Sequence, residues 1–333
     1  MIRQIKSGKI YEICCRARQG LPLPPNRTMK AIVKGIMART QRDQKVTICQ
    51  FLWMSNHLHI LIITKDANDC VKFYTEVQKK ITDALKRLLG LSYLHLWEGT
   101  PMVALIPDVF TIKDRIAYMY TNPSEADLEV SIERYPGLSS WNEFLQAQDN
   151  VDSLFTSSSP WIREKALEKL PSPSLSEKQD EFFSNKFIKL SKKTHDLVLE
   201  PNAWMKCFNI KDPLEVKAIN QSIIDDIRAR EQQSILRRAV TGKGVIGAHR
   251  LIHEPILKAH TPKKKSKRIF VICCDKDLRI ACIKERQAFQ QERNERLEQW
   301  RAGDFTSPWP PGAFRPPMPP LANAVEFKQH SFF

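Results

Sequence analysis

Two histidines, His57 and His59, are separated by one residue at the start of an apolar run. In a β-strand, residues i and i+2 point to the same face, so the two imidazoles would lie side by side. Imidazole nitrogens at that spacing can bind one divalent cation. Two ordinary polar residues at the beginning of a strand are the plainer explanation, and the H-x-H pair alone does not exclude it.

A tyrosine and an asparagine, Tyr118 and Asn122, lie four residues apart in a segment with helical periodicity. Residues i and i+4 share a helix face, so a phenol and an amide would project into one site. The alternative is a core tyrosine and an asparagine that ends the helix. Tyr120 competes with Tyr118 as a functional tyrosine, but it points about 200° round the helix. Because Ile112, Ile116 and Tyr120 recur every four residues, Tyr120 is predicted to lie in the core.

The segments that must position these residues alternate between strand and helix patterns. Strands are predicted at 9–19, 45–54 and 57–64, with a fourth strand or a hairpin at 95–106. Helices are predicted at 27–43, 67–89, 111–121 and 124–132, with a closing segment at 139–144. Pro123 is predicted to begin the helix at 124–132, because proline is tolerated in the first turn of a helix and not in its interior. This order predicts an α+β fold in which an antiparallel sheet carries helices on one face.

The rest of the chain has a different composition. Residues 148–160 are rich in Ser and Asp and predict a linker after a domain over 1–147. Residues 161–306 predict a mainly helical, basic accessory region that binds DNA. Its elements are predicted at 162–170, 177–190, 213–240 and 276–301 (helices) and 268–274 (a short strand). Residues 307–333 predict a Pro-rich tail whose first part, 307–321, is extended polyproline II rather than a packed element.

The chain is strongly basic, with 52 Lys and Arg against 37 Asp and Glu and a formal net charge of +15. This balance favours a polyanionic partner, nucleic acid first and an acidic membrane surface second. Two cation clusters are candidates for contact with DNA phosphates, and a solvated surface is the alternative for both. The first is Lys72, Lys79, Lys80 and Arg87, and the second is Lys263, Lys264, Lys265, Lys267 and Arg268. Trp53 and Trp97 are candidates for base stacking or for the core.

The compartment is predicted from cysteine usage and hydropathy. Eight cysteines with no C-x-x-C pair favour reduced core residues over a structural zinc site. No apolar run reaches the length of a membrane span, and the first nine residues lead into no apolar signal segment. We therefore expect a cytoplasmic protein without a membrane partner.

Four motifs together resemble one known family. Residues 54–62 (MSNHLHILI) resemble the M-P-N-H-h-H-h-h-h strand of the REP-associated tyrosine transposases, which belong to the HUH superfamily of single-strand DNA nucleases. Residues 118–126 (YMYTNPSEA) resemble their Y-I-x-x-N-P-V-x-A segment. Residues 135–141 (YPGLSSW) and 96–99 (LWEG) are similar to their Y-x-W-S-S closure and L-W-x-G turn. Ser55, Thr100 and Ser124 depart from the pattern, which usually has Pro, a basic residue and Val there.

The resemblance covers less than half of the chain and implies a ferredoxin-like HUH nuclease domain over 1–147. It implies a metal-dependent single-strand DNA endonuclease and strand transferase that acts at hairpin-bearing DNA, as a monomer or a homodimer. Tyr118 would be the nucleophile and would form a 5′-phosphotyrosine intermediate. His57, His59 and Asn122 would bind Mg²⁺ or Mn²⁺. The alternative is a catalytically idle, domesticated regulator that binds nucleic acid with the same fold.

Overall fold

The computed structural model describes residues 4–261 and 269–318. Its strands are β1 (Lys9–Arg16), β2 (Val46–Met54), β3 (His57–Thr64), β4 (Met102–Leu105), β5 (Phe155–Pro160) and β6 (Thr194–Leu199). Its helices are α1 (Arg27–Asp43), α2 (Ala67–Leu89), α3 (Val109–Glu125), α4 (Trp141–Gln146), α5 (Glu177–Lys189), α6 (Pro213–Thr241), α7 (Ala248–Ile252) and α8 (Lys276–Arg301). Short 3₁₀ turns occur at Ile132–Arg134, Glu164–Ala166 and Ala203–Phe208.

The strands form one six-stranded sheet in the order β4-β1-β3-β2-β6-β5. All neighbouring pairs are antiparallel except β2 and β6, which are joined in parallel at Ile48 and Leu199. A bulge between Ile48 and Gln50 shifts the register of β2 against β3. The α+β class, with a largely helical C-terminal region, is confirmed.

Helices cover both faces of the sheet, so the prediction of helices on one face is wrong. On the first face, Leu58 and Ile60 of β3 pack against α1 and α2. On the second face, Leu61 packs in a separate core with α3, α4 and α6. The reason is the composition of the strands, since both alternating sets of β3 side chains include apolar residues that must be buried. His57 and His59 lie on the second face, with α3.

The prediction that a helix ends before Pro123 is also wrong. Helix α3 continues through Pro123 to Glu125, and no helix begins at 124. Pro123 lacks an N–H group, so it removes the hydrogen bond to the Met119 carbonyl. The missing hydrogen bond belongs to the last turn of α3, so the helix can tolerate its absence. The range predicted as a second helix, 124–132, contains the end of α3 and only the first residue of the 3₁₀ turn Ile132–Arg134.

Three further predicted elements differ from the structure. The predicted linker at 148–160 is wrong for its second half, because β5 pairs there with β6 at the edge of the sheet. The predicted helix at 162–170 is a 3₁₀ turn in an otherwise irregular segment, because the Leu170 N–H bonds to the Leu88 carbonyl and fixes the chain at the end of α2. In place of the predicted strand at 268–274, Val271 makes an isolated bridge to Leu105.

The described part of the Pro-rich tail packs against the other end of the chain. The Ile5 N–H donates to the Gly312 carbonyl at 3.1 Å, and Gln4 bridges to Ala313. A Cβ at Gly312 would lie 2.7 Å from the Ile5 carbonyl oxygen, so only glycine allows this approach. The tail is therefore docked up to this point, contrary to the prediction of an unpacked segment, and residues 319–333 lie outside the described range.

Among the described residues, no helix is long and apolar enough to cross a bilayer. All eight cysteines are described, and none is in a disulfide. Four of them are buried, but Cys274 is exposed, so the prediction of core cysteines does not hold for it.

Candidate metal and tyrosine site

The H-x-H pair lies at the beginning of β3, where the period of two places both imidazoles on the face covered by α3. His59 is paired with Cys14 of β1 in the antiparallel ladder, and His57 is paired with Arg16. The two imidazole centroids are 4.9 Å apart, and the ring planes meet at 84°. The side-by-side placement predicted from the sequence is confirmed.

Hydrogen bonds to the Nδ1 atoms orient both rings. His57 Nδ1 lies 2.6 Å from the side-chain oxygen of Asn56, and His59 Nδ1 lies 2.7 Å from Glu12 Oε1. An oxygen of an amide or a carboxylate can only accept, so Nδ1 carries the proton in each ring. In the neutral tautomer, the lone pair of each histidine is therefore on Nε2, on the side that faces the site.

A buried carboxylate and an arginine support His59 from behind. Glu12 is 2% exposed, and Arg115 donates to it through Nε at 2.9 Å and Nη2 at 2.8 Å. The Arg115 guanidinium also lies 4.2 Å from the centre of the Tyr118 ring. The sequence analysis did not identify Glu12 or Arg115. The sequence did carry two signals for them. Glu12 is the single acidic residue of β1, and Arg115 lies three residues before Tyr118.

Helix α3 brings Tyr118 and Asn122 to the same histidine. The helix begins after Asp108, whose side chain accepts from the Thr111 N–H. The Tyr118 ring centroid lies 6.1 Å from that of His59, with the planes at 89°. Asn122 Nδ2 lies 3.4 Å from His59 Nε2, and a half-turn of the amide would place its oxygen there instead. The structure thus brings together the four residues that the motifs single out.

Tyr120, the competing tyrosine, lies in the core as predicted. It is fully buried, and its hydroxyl lies 2.9 Å from Ser140 Oγ. Its ring packs against Trp141 and Phe144. Tyr118 is only half-buried, and burial raises the pKa of its phenol while the charge of Arg115 opposes that shift. Tyr118 is therefore the accessible phenol of the two.

The histidines differ in protonation. Burial, and then the charge of His59, lowers the pKa of His57 well below its ordinary value, so its imidazole is neutral. Burial disfavours the charged form of His59, but Cys14 and Glu12 outweigh it and raise the pKa to about 10. Burial likewise opposes ionisation of Glu12, but the hydrogen bond with His59 and the charge of Arg115 lower the pKa of its carboxyl. A cation at His59 must therefore displace a proton.

The donor set fits a cation that keeps several water ligands. Within 4–261 and 269–318, no three His, Cys, Asp or Glu side chains converge on one point. The site therefore offers two imidazole nitrogens and the amide oxygen of Asn122. Such an open, mixed nitrogen and oxygen set differs from the closed tetrahedral sites of structural zinc. The carboxylate behind His59 is the kind of outer partner that orients histidine ligands.

Replacing Glu12 by Gln is expected to weaken Mn²⁺ binding by about 10–100-fold, the usual cost of losing such an outer partner. Gln keeps the size of the side chain but removes the charge that fixes the His59 tautomer and pairs with Arg115. Because Glu12 also raises the pKa of His59, titration calorimetry is done from pH 6 to pH 8 and each affinity is corrected for the proton that the cation displaces. Glu181→Gln is the matched control, since Glu181 lies in an exposed ion pair with Arg27 at 3.7 Å. Equal affinities for wild type and Glu12→Gln would contradict the orienting role.

The predicted DNA-contact cations do not gather at this site. Helix α2, which carries the first cluster, packs on the opposite face of the sheet from α3. Lys72, Lys79 and Arg87 are exposed, whereas Lys80 lies 5.2 Å from the Trp161 ring. The second cluster, Lys263, Lys264, Lys265, Lys267 and Arg268, lies outside the described residues. DNA contact by either cluster stays a prediction.

Both candidate stacking tryptophans are buried, which confirms the core alternative. The Trp53 indole N–H points to Met37 Sδ at 3.0 Å, and the Trp53 carbonyl accepts from the Tyr135 hydroxyl at 2.9 Å. The Trp97 indole donates to the Gln78 carbonyl at 3.0 Å. Neither ring presents a face on which a base can stack.

Comparison with known proteins gives one structural similarity. The chain is similar to a solved structure described as a REP-associated tyrosine transposase bound to a REP hairpin. The TM-score is 0.38 at 17% identity, and the similarity covers 43% of this chain and 83% of that chain. No protein-family model and no curated protein matches the sequence. A similarity of this size does not assign the chain to a family.

Proposed function

We propose that this protein is a metal-dependent single-strand DNA endonuclease and strand transferase, with Tyr118 as its nucleophile. One observation carries the proposal: His59, fixed through Nδ1 by Glu12, lies 6.1 Å from the Tyr118 ring, with Asn122 3.4 Å from its Nε2. A phenol beside two imidazoles and an amide suits tyrosine-dependent DNA cleavage once a cation has displaced the proton of His59. The resemblance of the four motifs to REP-associated tyrosine transposases supports the same chemistry.

In this proposal, His57, His59 and the Asn122 amide oxygen would hold Mg²⁺ or Mn²⁺. When bound, the cation would polarise the scissile phosphate and stabilise its developing charge. The Tyr118 oxygen loses its proton and bonds to the phosphorus, and the bond from phosphorus to the 3′-oxygen breaks. The 3′-oxygen leaves and is protonated to a 3′-hydroxyl. The resulting 5′-phosphotyrosine keeps the energy of the broken bond, so a later strand transfer needs no ATP.

The proposed substrate is hairpin-bearing single-stranded DNA, on the strength of the motif resemblance and the net charge of +15. The proposal is tested by incubating the protein with hairpin-bearing single-stranded oligonucleotides and Mn²⁺. A covalent protein–DNA adduct that survives denaturation, and that does not form with chelator present, is expected. Hairpin binding without any adduct, across a varied set of oligonucleotides, would favour the idle regulator instead.

Mn²⁺ affinity is expected to rise by about tenfold per pH unit between roughly pH 6 and pH 8, since each bound cation releases one proton. The raised pKa of His59, about 10, leaves its imidazole protonated throughout this range. Calorimetry in buffers of different ionisation enthalpy measures both the affinity and the proton released. An affinity that does not change with pH would show that His59 is not a ligand.

A further inference from the structure

The end of α3 that carries Asn122 is held from outside by helix α6. The buried residues of α6 lie along one face of the helix: Val216, Asn220, Ile223, Ile224, Ile227, Glu231, Ser234 and Arg238. Its isoleucines share the second core with Ile112 and Ile116 of α3. The charged residues of this face, Glu231 and Arg238, lie in the second half of α6, and Arg238 lies beside the end of α3.

Arg238 is the residue of α6 that reaches the last turn of α3. Arg238 is 5% exposed, and its Nη1 donates to the Ser124 carbonyl at 2.8 Å. The same nitrogen lies 3.4 Å from Asp127, which has a left-handed backbone with φ of 56°. Arg237 also donates to the Glu125 carbonyl and to Asp127. A cation at this position complements the negative end of the helix dipole.

This support falls where α3 is weakest. Pro123 offers no N–H to the carbonyl one turn earlier, so the final turn has lost one of its own bonds. The Asn122 carbonyl accepts from Ala126 at 3.0 Å, and the Pro123 carbonyl accepts from Leu128 at 2.9 Å. The orientation of the Asn122 side chain at His59 depends on this turn. An arginine on its outer side limits its movement.

We propose that Arg238 is a positioning residue that fixes the last turn of α3 and thereby holds the Asn122 amide at His59. This inference rests on the proposed function, since it assigns Asn122 its use as a metal ligand. Arg237 and Arg238, which belong to the region predicted to be a basic accessory region, donate to carbonyls at the end of α3. Burying the Arg238 guanidinium carries a desolvation cost that its hydrogen bonds largely offset but do not exceed. Fixing the geometry of the turn therefore accounts for a buried arginine here better than added stability does.

The first test is amide hydrogen exchange of the full chain with Arg238→Met, which keeps the length of the side chain but loses its donors. The amides of Ala126, Asp127 and Leu128 are expected to exchange at least about tenfold faster, with no change near Ile112. Arg238→Lys should restore part of the protection, because an ammonium can still donate to a carbonyl. Arg230→Met is the matched control, since Arg230 pairs with Asp114 in the first half of α3 at 2.6 Å. Unchanged exchange in Arg238→Met would overturn the proposal.

The second test is Mn²⁺ affinity measured in the Tyr118→Phe background, where no cleavage occurs. Arg238→Met is expected to weaken binding by about tenfold, and to add no further loss when Asn122→Ala is already present. An equal loss with and without Asn122 would show that Arg238 acts elsewhere. No Mn²⁺ binding in the parent protein would overturn the proposed function, whereas faster exchange would still show that Arg238 holds this turn.

Discussion

Tyr118→Phe is expected to abolish the covalent adduct and to lower the cleavage rate by at least about 10⁴-fold, as removal of a nucleophile does. The substitution removes one oxygen and keeps the ring, so the contact with the Arg115 guanidinium at 4.2 Å remains. Folding and DNA binding should therefore not change. Denaturing gels with labelled oligonucleotides measure the adduct, and a filter-binding assay measures the affinity.

Tyr120→Phe is the matched control, because it removes the same atom from the same helix two residues away. Among the residues that the structure describes, the lost hydroxyl bonds only to Ser140 in the core, so a cost of about 1 kcal/mol in stability and normal adduct formation are expected. Peptide mapping of the adduct identifies the attached residue. A DNA remnant on Tyr120, or full activity of Tyr118→Phe, would overturn the assignment and the role given to Asn122.

Helices α1 and α2, on the face of the sheet opposite the site, could be predicted because their ends carry local signals. Asn26 caps α1 by accepting from the Met29 N–H, and Gly90 ends α2 with a left-handed φ of 67°. Both signals lie within a few residues of the helix and need no tertiary contact. Strand β5 has no such signal. Its serine-rich sequence becomes a strand only by pairing with β6, which lies about 35 residues further along the chain.

The site shows the same division between local and distant information. The period of a strand places His57 beside His59, and the period of a helix places Tyr118 in line with Asn122. The side chains that support His59 come from elsewhere in the sequence. Glu12 lies 47 residues from His59, and Arg115 lies 103 residues from Glu12. Single-sequence periodicity holds no information on such pairings, so these supports are visible only in the folded chain.

His57→Ala and His59→Ala are each expected to abolish metal-dependent cleavage, because either change removes one of two imidazole ligands. The two variants should differ in stability. His57 is half-buried and bonds to the adjacent Asn56, so its loss should leave the fold intact. His59 is buried against Glu12, and its loss leaves that carboxylate with Arg115 as its one remaining side-chain partner described here. A stability cost of about 1–3 kcal/mol is expected for His59→Ala alone.

These outcomes separate a ligand from a merely structural histidine. Thermal unfolding measures the stability of each variant, and Mn²⁺ titration measures its affinity. His249→Ala is the matched control, since His249 is exposed on α7 and should change neither quantity. If His57→Ala cleaves DNA at the wild-type rate, the histidines of β3 do not bind the cation. If His57→Ala loses Mn²⁺ affinity at unchanged stability, the histidine acts through its lone pair, because no other property of that strand has been altered.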